Sequence, residues 1–369
     1  MAYGPVNVPG ISGGETIIVA ASDGSEEAKA AANYICNGTD DIAVIREAIS
    51  ALPEYGGKIV LSSGNFYIKA TGSAVSMTVP DNTAIIGHGN STRFLHGNPK
   101  SSRCYITFDA SESKNVTLRD FSVDKQADAS GFFYFGIQLG AYSSIININT
   151  PGNLDTAPIT LNGSFSSMIG CTMPQCSLKI WNKVKNAVVA NCHGLKNVEC
   201  RPSSENSIIA GNVIESASGS GYRSVFQGSN GIFCNNCIRD TAAGDPGAYF
   251  PISFSGENNI FANNIIHANS PVGIVCGTNS KFINNIVEIE SASEQEAVFA
   301  YTLSSSTFSG IYNCKDPEYV EIKNNMFIRM LSDADSALNG IYEVKTQASA
   351  SSYTGCTVTD NICVPYKKE

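Results

Sequence analysis

Along most of this chain one hydrophobic–polar phrase recurs. SIIININT, SSMIGCTM, NAVVANCHG, NSIIAGNVIES, NGIFCNNCIRD, NNIFANNIIHA, NSKFINNIVEI, VEIKNNMFIRM and TGCTVTDNICV are variants of it. Each copy runs through an apolar, β-branched stretch, then a polar residue, then another apolar pair. Aligned, one column holds Asn149, Gly170, Asn191, Asn212, Asn236, Asn264, Asn285, Asn325 and Asn361, and an earlier copy, NVTLRDFSVD, puts Asp120 there. The steps from 149 onward are 21, 21, 21, 24, 28, 21, 40 and 36 residues. A fixed period with occasional insertions marks a solenoid. A period near 21 without helical spacing predicts three short strands per turn, hence an all-β, single-stranded, right-handed parallel β-helix. In a stack in which each coil touches only its neighbours, function belongs on the outer surface.

The column has a structural reason. Asparagine tolerates the left-handed conformation of a sharp bend. At the strand spacing of about 4.8 Å its amide can bond to the amides above and below. The register also places Glu215, Arg239, His267 and Glu288 on successive coils as an outward column of alternating charge, each cross-strand pair contributing about 0.2–1 kcal/mol. The sharper alternative is a groove with His267 as acid or base between carboxylates.

Ahead of the repeats the pattern changes. Residues 1–16 (MAYGPVNVPGISGGET) are Gly/Pro-rich, without period, and read as an extended arm. Residues 17–57 hold a short strand, a polar alanine-rich stretch and a helix in which Ile42, Ile45, Ile49 and Leu52 recur at helical spacing. Asp40 or Asp41 can cap its start, and Pro53 with Gly56-Gly57 ends it. Such a helix can cover the first coil's apolar side chains and unpaired edge. Residues 58–369 form the β-helix, so the division reads 1–16, 17–57 and 58–369.

Composition narrows the setting. The 369 residues carry net charge −9 with no basic patch, which argues against nucleic acid. No apolar run reaches the 18 residues of a membrane span, and MAYGPVNVPG lacks the basic and apolar regions of a secretory signal. Six of the twelve cysteines sit in strand phrases (Cys171, Cys192, Cys234, Cys237, Cys276 and Cys363), where a free thiol acts as a small core hydrophobe. That fits synthesis in a reducing cytoplasm. Cys234 and Cys237 have CxxC spacing without a second pair, so neither metal nor cofactor is implied.

The N-terminal order resembles the pectate-lyase-like β-helix superfamily: a (D)D-x-x-x-I-x-x-A-I helix, then G-G-x-x-x-L-x-x-G-x-[FY], then [IL]-x-G-x-G. The matching residues are Asp40, Asp41, Ile45, Ala48, Ile49, Gly56, Gly57, Leu61, Gly64, Phe66, Ile86, Gly87 and Gly89. The resemblance covers roughly 38–365 and implies the fold, since these residues are structural. Gly87-His88-Gly89 matches the GHG of polygalacturonases, but their accompanying acidic segments are missing, so His88 reads as a turn residue. Arg119, Asp120, Phe121 and Asp124 are similar to a stretch of inulin-cleaving fructotransferases, and Asp316-Pro317-Glu318 lacks the histidine of the mannuronan-epimerase motif. MAYGPVNVPG and ASDGSEEAKAAANYICNGTDD resemble the start of tail-associated proteins of phages and prophages of Gram-positive bacteria. That resemblance implies a tailspike-like virion tail or extracellular location after synthesis in a bacterial cytoplasm, a homotrimer, and attachment to other tail proteins through the arm.

One surface gathers saccharide chemistry. Counting back from the asparagine column puts Glu199, Arg201 and Arg223 on one face within one coil spacing. The insertion RDTAAGDPGAYF adds Asp240, Asp245 and Tyr249, with Tyr222 and Trp181 nearby. Aromatic rings stack on sugars, arginine holds acidic groups, and paired carboxylates do acid–base work. The expected catalytic set is Glu199, Arg201, Arg223, Asp240 and Asp245, and the expected binding set Trp181, Tyr222, Tyr249 and His267. A second region carries Asp316, Glu318 and Asp333. The expectation is a protein that binds, and can depolymerise, a bacterial surface glycan. A stand-alone polysaccharide lyase or glycoside hydrolase, and a non-catalytic virion component, are the alternatives.

Overall fold

The computed structural model describes residues 15–68, 74–96, 104–124, 133–150, 159–174, 176–216, 224–240, 252–254, 256–268, 272–274, 277–291, 300–301, 319, 321–331, 357–360 and 362–367. The chain divides into two units, Met1–Pro174 and Gln175–Glu369. Both are parallel β-helix.

In the first unit Glu15–Ala20 pairs with Gly57–Leu61, then Thr83–Ile86, Thr117–Asp124, Ser144–Asn149 and Ser167–Ile169 follow, every pairing parallel. Ala74–Thr78, Cys104–Ala110, Phe133–Leu139 and Ile159–Leu161 form a second face. Inward positions bury Phe66, Phe94, Phe108, Phe121 and Phe135, whose rings pack at 5.1–6.0 Å. The helix Asp41–Ser50 buries Ile42, Ile45, Ala48 and Ile49. Asp40 occupies its N-cap but makes no side-chain capping bond. Asp41 does not cap it either: its carboxylate, fully buried, accepts the backbone N–H groups of Asn37 (3.1 Å), Gly38 (2.9 Å) and Tyr67 (2.7 Å), tying the helix start to the preceding loop and to strand Gly64–Ile68. A shorter helix, Glu26–Ala31, occupies the alanine-rich stretch. His88 lies exposed at a turn, its N–H donating to Thr92 Oγ1.

The second unit stacks strands on three faces. The first holds Ser177–Ile180, Asn197–Cys200, Ser224–Phe226, Ile252–Phe254, Val272–Ile274 and Ala300–Tyr301. The second, the ladder face, holds Val188–Ala190, Ile208–Ala210, Ile232–Cys234, Ile260–Ala262, Lys281–Ile283, Glu321–Lys323 and Thr357–Thr359. The third holds Val213–Ser216, Cys237–Asp240, Ile265–Ala268, Ile286–Ser291, Met326–Leu331 and Ile362–Lys367.

The asparagine column divides into two adjacent columns with different jobs. The left-handed bend falls on Asn191, Gly211, Asn235, Asn263, Asn284, Asn324 and Asp360, all at φ of 55–69°. The next residue carries the buried amide. Asn212, Asn236, Asn264, Asn285 and Asn325 are at most 2% exposed. Each of the first four donates its N–H and its Nδ2 to the Oδ1 of the next. A second Nδ2 bond reaches a strand carbonyl of the preceding coil. Asn191 therefore leaves the amide ladder, and Cys192 stands in its place with its N–H donating to Asn212 Oδ1. The cause is a coil of 20 rather than 21 residues, since Val188 pairs with Ile208. In the first unit Asp120, Asn147 and Gly170 take the bend, so Asn149 is displaced by two and donates instead to Asn90. Asn361 lies outside the described residues.

A second left-handed column, at the opposite corner of the ladder face, runs through Asn186, Asn206, Asn230, Asn258, Asn279 and Tyr319. Its signal was in the sequence: the ladder strands Val188–Ala190, Ile232–Cys234, Ile260–Ala262 and Lys281–Ile283 each lie between two asparagines.

Candidate functional site

The candidate surface lies on two consecutive coils of the second unit, built by parallel register. Lys179 pairs with Glu199 on the first face. Beyond the strand ends Trp181 meets Arg201, Asn182 meets Ser203, and Lys185 meets Glu205. Alternation forces these side chains outward, because Leu178, Ile180, Val198 and Cys200 fill the core between them.

The contacts are specific. Glu199 lies between two cations, with Oε1 2.9 Å from Arg201 Nη2 and Oε2 3.4 Å from Lys179 Nζ. The Arg201 guanidinium sits over the Trp181 ring, 5.3 Å from its centroid. That aromatic–cation contact is worth about 0.5–1 kcal/mol at an exposed site. Trp181 is 44% exposed, a large side chain left in water on a coil whose other apolar groups are covered. Ser203 donates to Asn182 Oδ1 at 3.2 Å, and Lys185 Nζ is 2.9 Å from Glu205. Trp181, Glu199 and Arg201, named from the sequence, therefore come together. Lys179 joins them through Glu199, and the pairs Asn182–Ser203 and Lys185–Glu205 follow on the same two coils; only stacking one coil apart reveals them.

The register corrects one expectation. Glu199 pairs with Val225, not with Arg223. The corner between Cys200 and Ile208 holds two more residues than that between Phe226 and Ile232, so counting back from the ladder was off by two. Arg223, Tyr222, Asp245 and Tyr249 lie outside the described residues, as do Asp316, Glu318 and Asp333. Asp240 ends the strand Cys237–Asp240 in register with Ser216 and Ala268, which puts it on the third face rather than with Glu199. The insertion that follows it, expected to overhang the site, is likewise outside.

His267 is also on the third face. There Glu215, Arg239, His267 and Glu288 pair in succession, as the spacing predicted. His267 Nδ1 lies 2.6 Å from Glu288 Oε2, and Arg239 is 3.7 Å from Glu215. A histidine held through Nδ1 by a carboxylate presents Nε2 outward.

Among the described residues no group of three or more His, Cys, Asp or Glu could hold a metal ion. Cys36, Cys171, Cys176, Cys192 and Cys200 are buried, and burial pushes the Cys36 and Cys200 thiols upward. Cys234 and Cys237 depart from the buried expectation: they are half-exposed, one on each side of the bend at Asn235. Among the described residues no helix is long and apolar enough to cross a membrane.

No family model matches the sequence, and no curated protein does. Solved structures share the fold. PfbA, a surface adhesin of Streptococcus pneumoniae, is 12% identical with a TM-score of 0.52, over 89% of each chain. The Azotobacter vinelandii mannuronan C-5 epimerase AlgE4 A-module is 14% identical with a TM-score of 0.38, over 90% of this chain and 94% of that one. Dettilon tailspike protein is 12% identical with a TM-score of 0.46, over 89% of this chain and 66% of that one. The likeness to PfbA establishes the parallel β-helix and nothing finer.

Proposed function

We propose that this chain is a glycan-binding β-helix whose second unit takes a bacterial surface polysaccharide on the Trp181–Arg201–Glu199 surface. The single observation that carries the reading is the half-exposed Trp181 ring with Arg201 over it, flanked by fixed donors and acceptors from two coils. An indole supplies a sugar-stacking plane, and side chains locked by packing and ion pairs hold polar groups in place with little ordering cost. The fold is shared with a streptococcal surface adhesin, which is compatible with such a role. The sequence resemblance to phage tail proteins supplies the setting: a virion tail or extracellular appendage, trimeric, its residues 1–16 an arm toward other tail proteins, 17–57 a cap and 58–369 the binding body.

Binding is favoured over cleavage at this surface. Glycoside hydrolysis needs two carboxylates facing one bond. Here Glu199 and Glu205 are each engaged by cations. A lyase or hydrolase reading rests on the other face, where Glu288 orients His267.

Titration against a panel of acidic and neutral bacterial polysaccharides tests the proposal, with polymer length followed by chromatography. One polymer should bind without shortening, and Trp181→Ala should weaken it at least tenfold. Shortening that disappears in His267→Ala would establish the enzyme instead. No binding to any polymer would leave a structural role.

A further inference from the structure

We infer that the glycan taken by the second unit carries acetylated sugars, and that a cleft at the corner Arg201–Ser207 seats the acetyl group. The inference rests on the glycan reading of the Trp181–Arg201 surface and names the chemistry which that reading leaves open.

The cleft comes from one missing side chain. Parallel register puts Ala187, Ser207, Gly231, Asn259 and Ser280 in a single column, each just ahead of its ladder strand. Along it the side chain of one coil serves the backbone N–H of the coil before. Ser280 Oγ accepts from Asn259 N at 3.1 Å, and Asn259 Oδ1 accepts from Gly231 N at 2.8 Å. The series stops at Gly231, because glycine offers the Ser207 N–H no side-chain acceptor. The backbone there does not demand glycine, since its φ is not positive. An added Cβ would stand 3.1 Å from Asn259 Oδ1 and 3.3 Å from Ser207 O, close contacts but not blocking ones. The corner Arg201–Ser207 is also two residues longer than Gln227–Gly231, and the shorter one leaves the space between them unfilled.

What remains is a cavity of about 20 Å³. One water needs about 10–15 Å³, so there is room for a single group of water or methyl size. Ile209, Phe226, Phe233 and Phe261 wall it, each at most 3% exposed, and the half-exposed Ser229 and Gly231 stand at its edge. Ser207 also lines it, 5% exposed, and its Oγ has no hydrogen-bond partner among the described residues.

The occupant follows from this mixed lining. A buried hydroxyl without a partner is unfavourable until something supplies one. Buried water makes about three hydrogen bonds, yet Ser204 Oγ and Asn259 Nδ2 are already committed to Arg201 O and Gly228 O. An acetyl group fits both halves: its carbonyl oxygen accepts from Ser207, and its methyl lies against the rings. An acetamide is moreover the group that Asn259 carries in the same column one coil on. The corner begins at Arg201, so the cleft adjoins the Trp181 surface.

Acetylated polysaccharides, each paired with its chemically deacetylated form, are titrated against the full chain. The polymer that binds should lose at least tenfold in affinity on deacetylation. Gly231→Ser, which fills the space as Ser280 does in its own coil, should give a similar loss with Tm unchanged or raised. Ser207→Ala, for which Ala187 is the precedent in the column, should weaken binding at least threefold. If Gly231→Ser misfolds, saturation-transfer NMR of the wild type with free N-acetylglucosamine and N-acetylgalactosamine should mark the acetyl methyl most strongly. Equal binding of both polymer forms, indifferent to Gly231→Ser and Ser207→Ala, would overturn the inference; loss of that binding in Trp181→Ala would leave the glycan reading standing. A crystal structure of the polymer complex with water alone in the cleft would overturn it as well. No binding to any polymer would remove both.

Discussion

Asn263 and Asn264 are sequence neighbours of the same type, and the structure assigns them opposite fates. Asn264 is 1% exposed. Its Oδ1 accepts the N–H and the Nδ2 of Asn236 at 3.0 Å each, and its Nδ2 donates to Phe233 O at 3.1 Å and Asn285 Oδ1 at 2.9 Å. Truncation to alanine removes all four bonds. Asn236 Nδ2 keeps partners in Ile209 O and Cys234 O, and Asn285 Oδ1 keeps the Asn264 N–H. The buried Asn236 N–H and the Phe233 carbonyl are left without the bonds they had. Two buried polar groups deprived of partners cost about 1–3 kcal/mol each, and with the lost packing Asn264→Ala should destabilise by about 3–5 kcal/mol. Asn263 is exposed, with φ of 56°, a backbone that glycine adopts freely, so Asn263→Gly should change stability by less than about 0.5 kcal/mol. Urea unfolding reads the difference, provided the slope is unchanged between variants. Because coils couple mainly to their neighbours, hydrogen exchange at the Asn236 amide gives a local readout: it should accelerate in Asn264→Ala and stay slow in Asn263→Gly. Equal effects of the two substitutions, or a slow Asn236 amide after Asn264→Ala, would refute the division of labour between bend and ladder.

Asp41→Ala should detach the helix start and destabilise the first unit by about 3 kcal/mol, since three N–H bonds to a buried carboxylate are lost; thermal melting checks it. Burial raises the Asp41 pKa above its ordinary value, with the three N–H donors holding it back. The folded chain therefore holds that proton more readily than the unfolded one, so the associated stability is fully present below the ordinary aspartate value and lost as pH rises through the raised one. The stability of wild type relative to Asp41→Asn should accordingly decline over that interval, and an increase would contradict the assignment. At one corner of the first unit, Tyr142 and Phe165 occupy left-handed positions and stack at 4.9 Å with planes 4° apart. Ring stacking worth about 0.5–1.5 kcal/mol opposes a backbone cost of about 1–2 kcal/mol per residue. Each single change to glycine should thus be nearly neutral, while a double-mutant cycle should show a coupling of about 0.5–1 kcal/mol. A coupling of zero would mean the rings do not stack in solution.

The repeat alone determined the fold class here. Three short strands per coil, parallel pairing and the outward column Glu215–Arg239–His267–Glu288 all follow from a period near 21 and from strand alternation, which are local properties of the chain. So does the helix Asp41–Ser50, whose spacing of Ile42, Ile45 and Ile49 needs no partner to be recognised. What the tertiary structure decided is how each coil's residues are shared between strands and corners. Adjacent asparagines look alike in sequence, and only inter-coil hydrogen bonding says which bends and which is buried. Two extra residues in the corner after Cys200 shift Glu199 from Arg223 to Val225, a displacement that a count from the ladder cannot detect because corners absorb insertions while strands keep register. The joining of Trp181 to Arg201, of Lys179 to Glu199 and of Lys185 to Glu205 likewise exists only because two coils about twenty residues apart stack at the strand spacing.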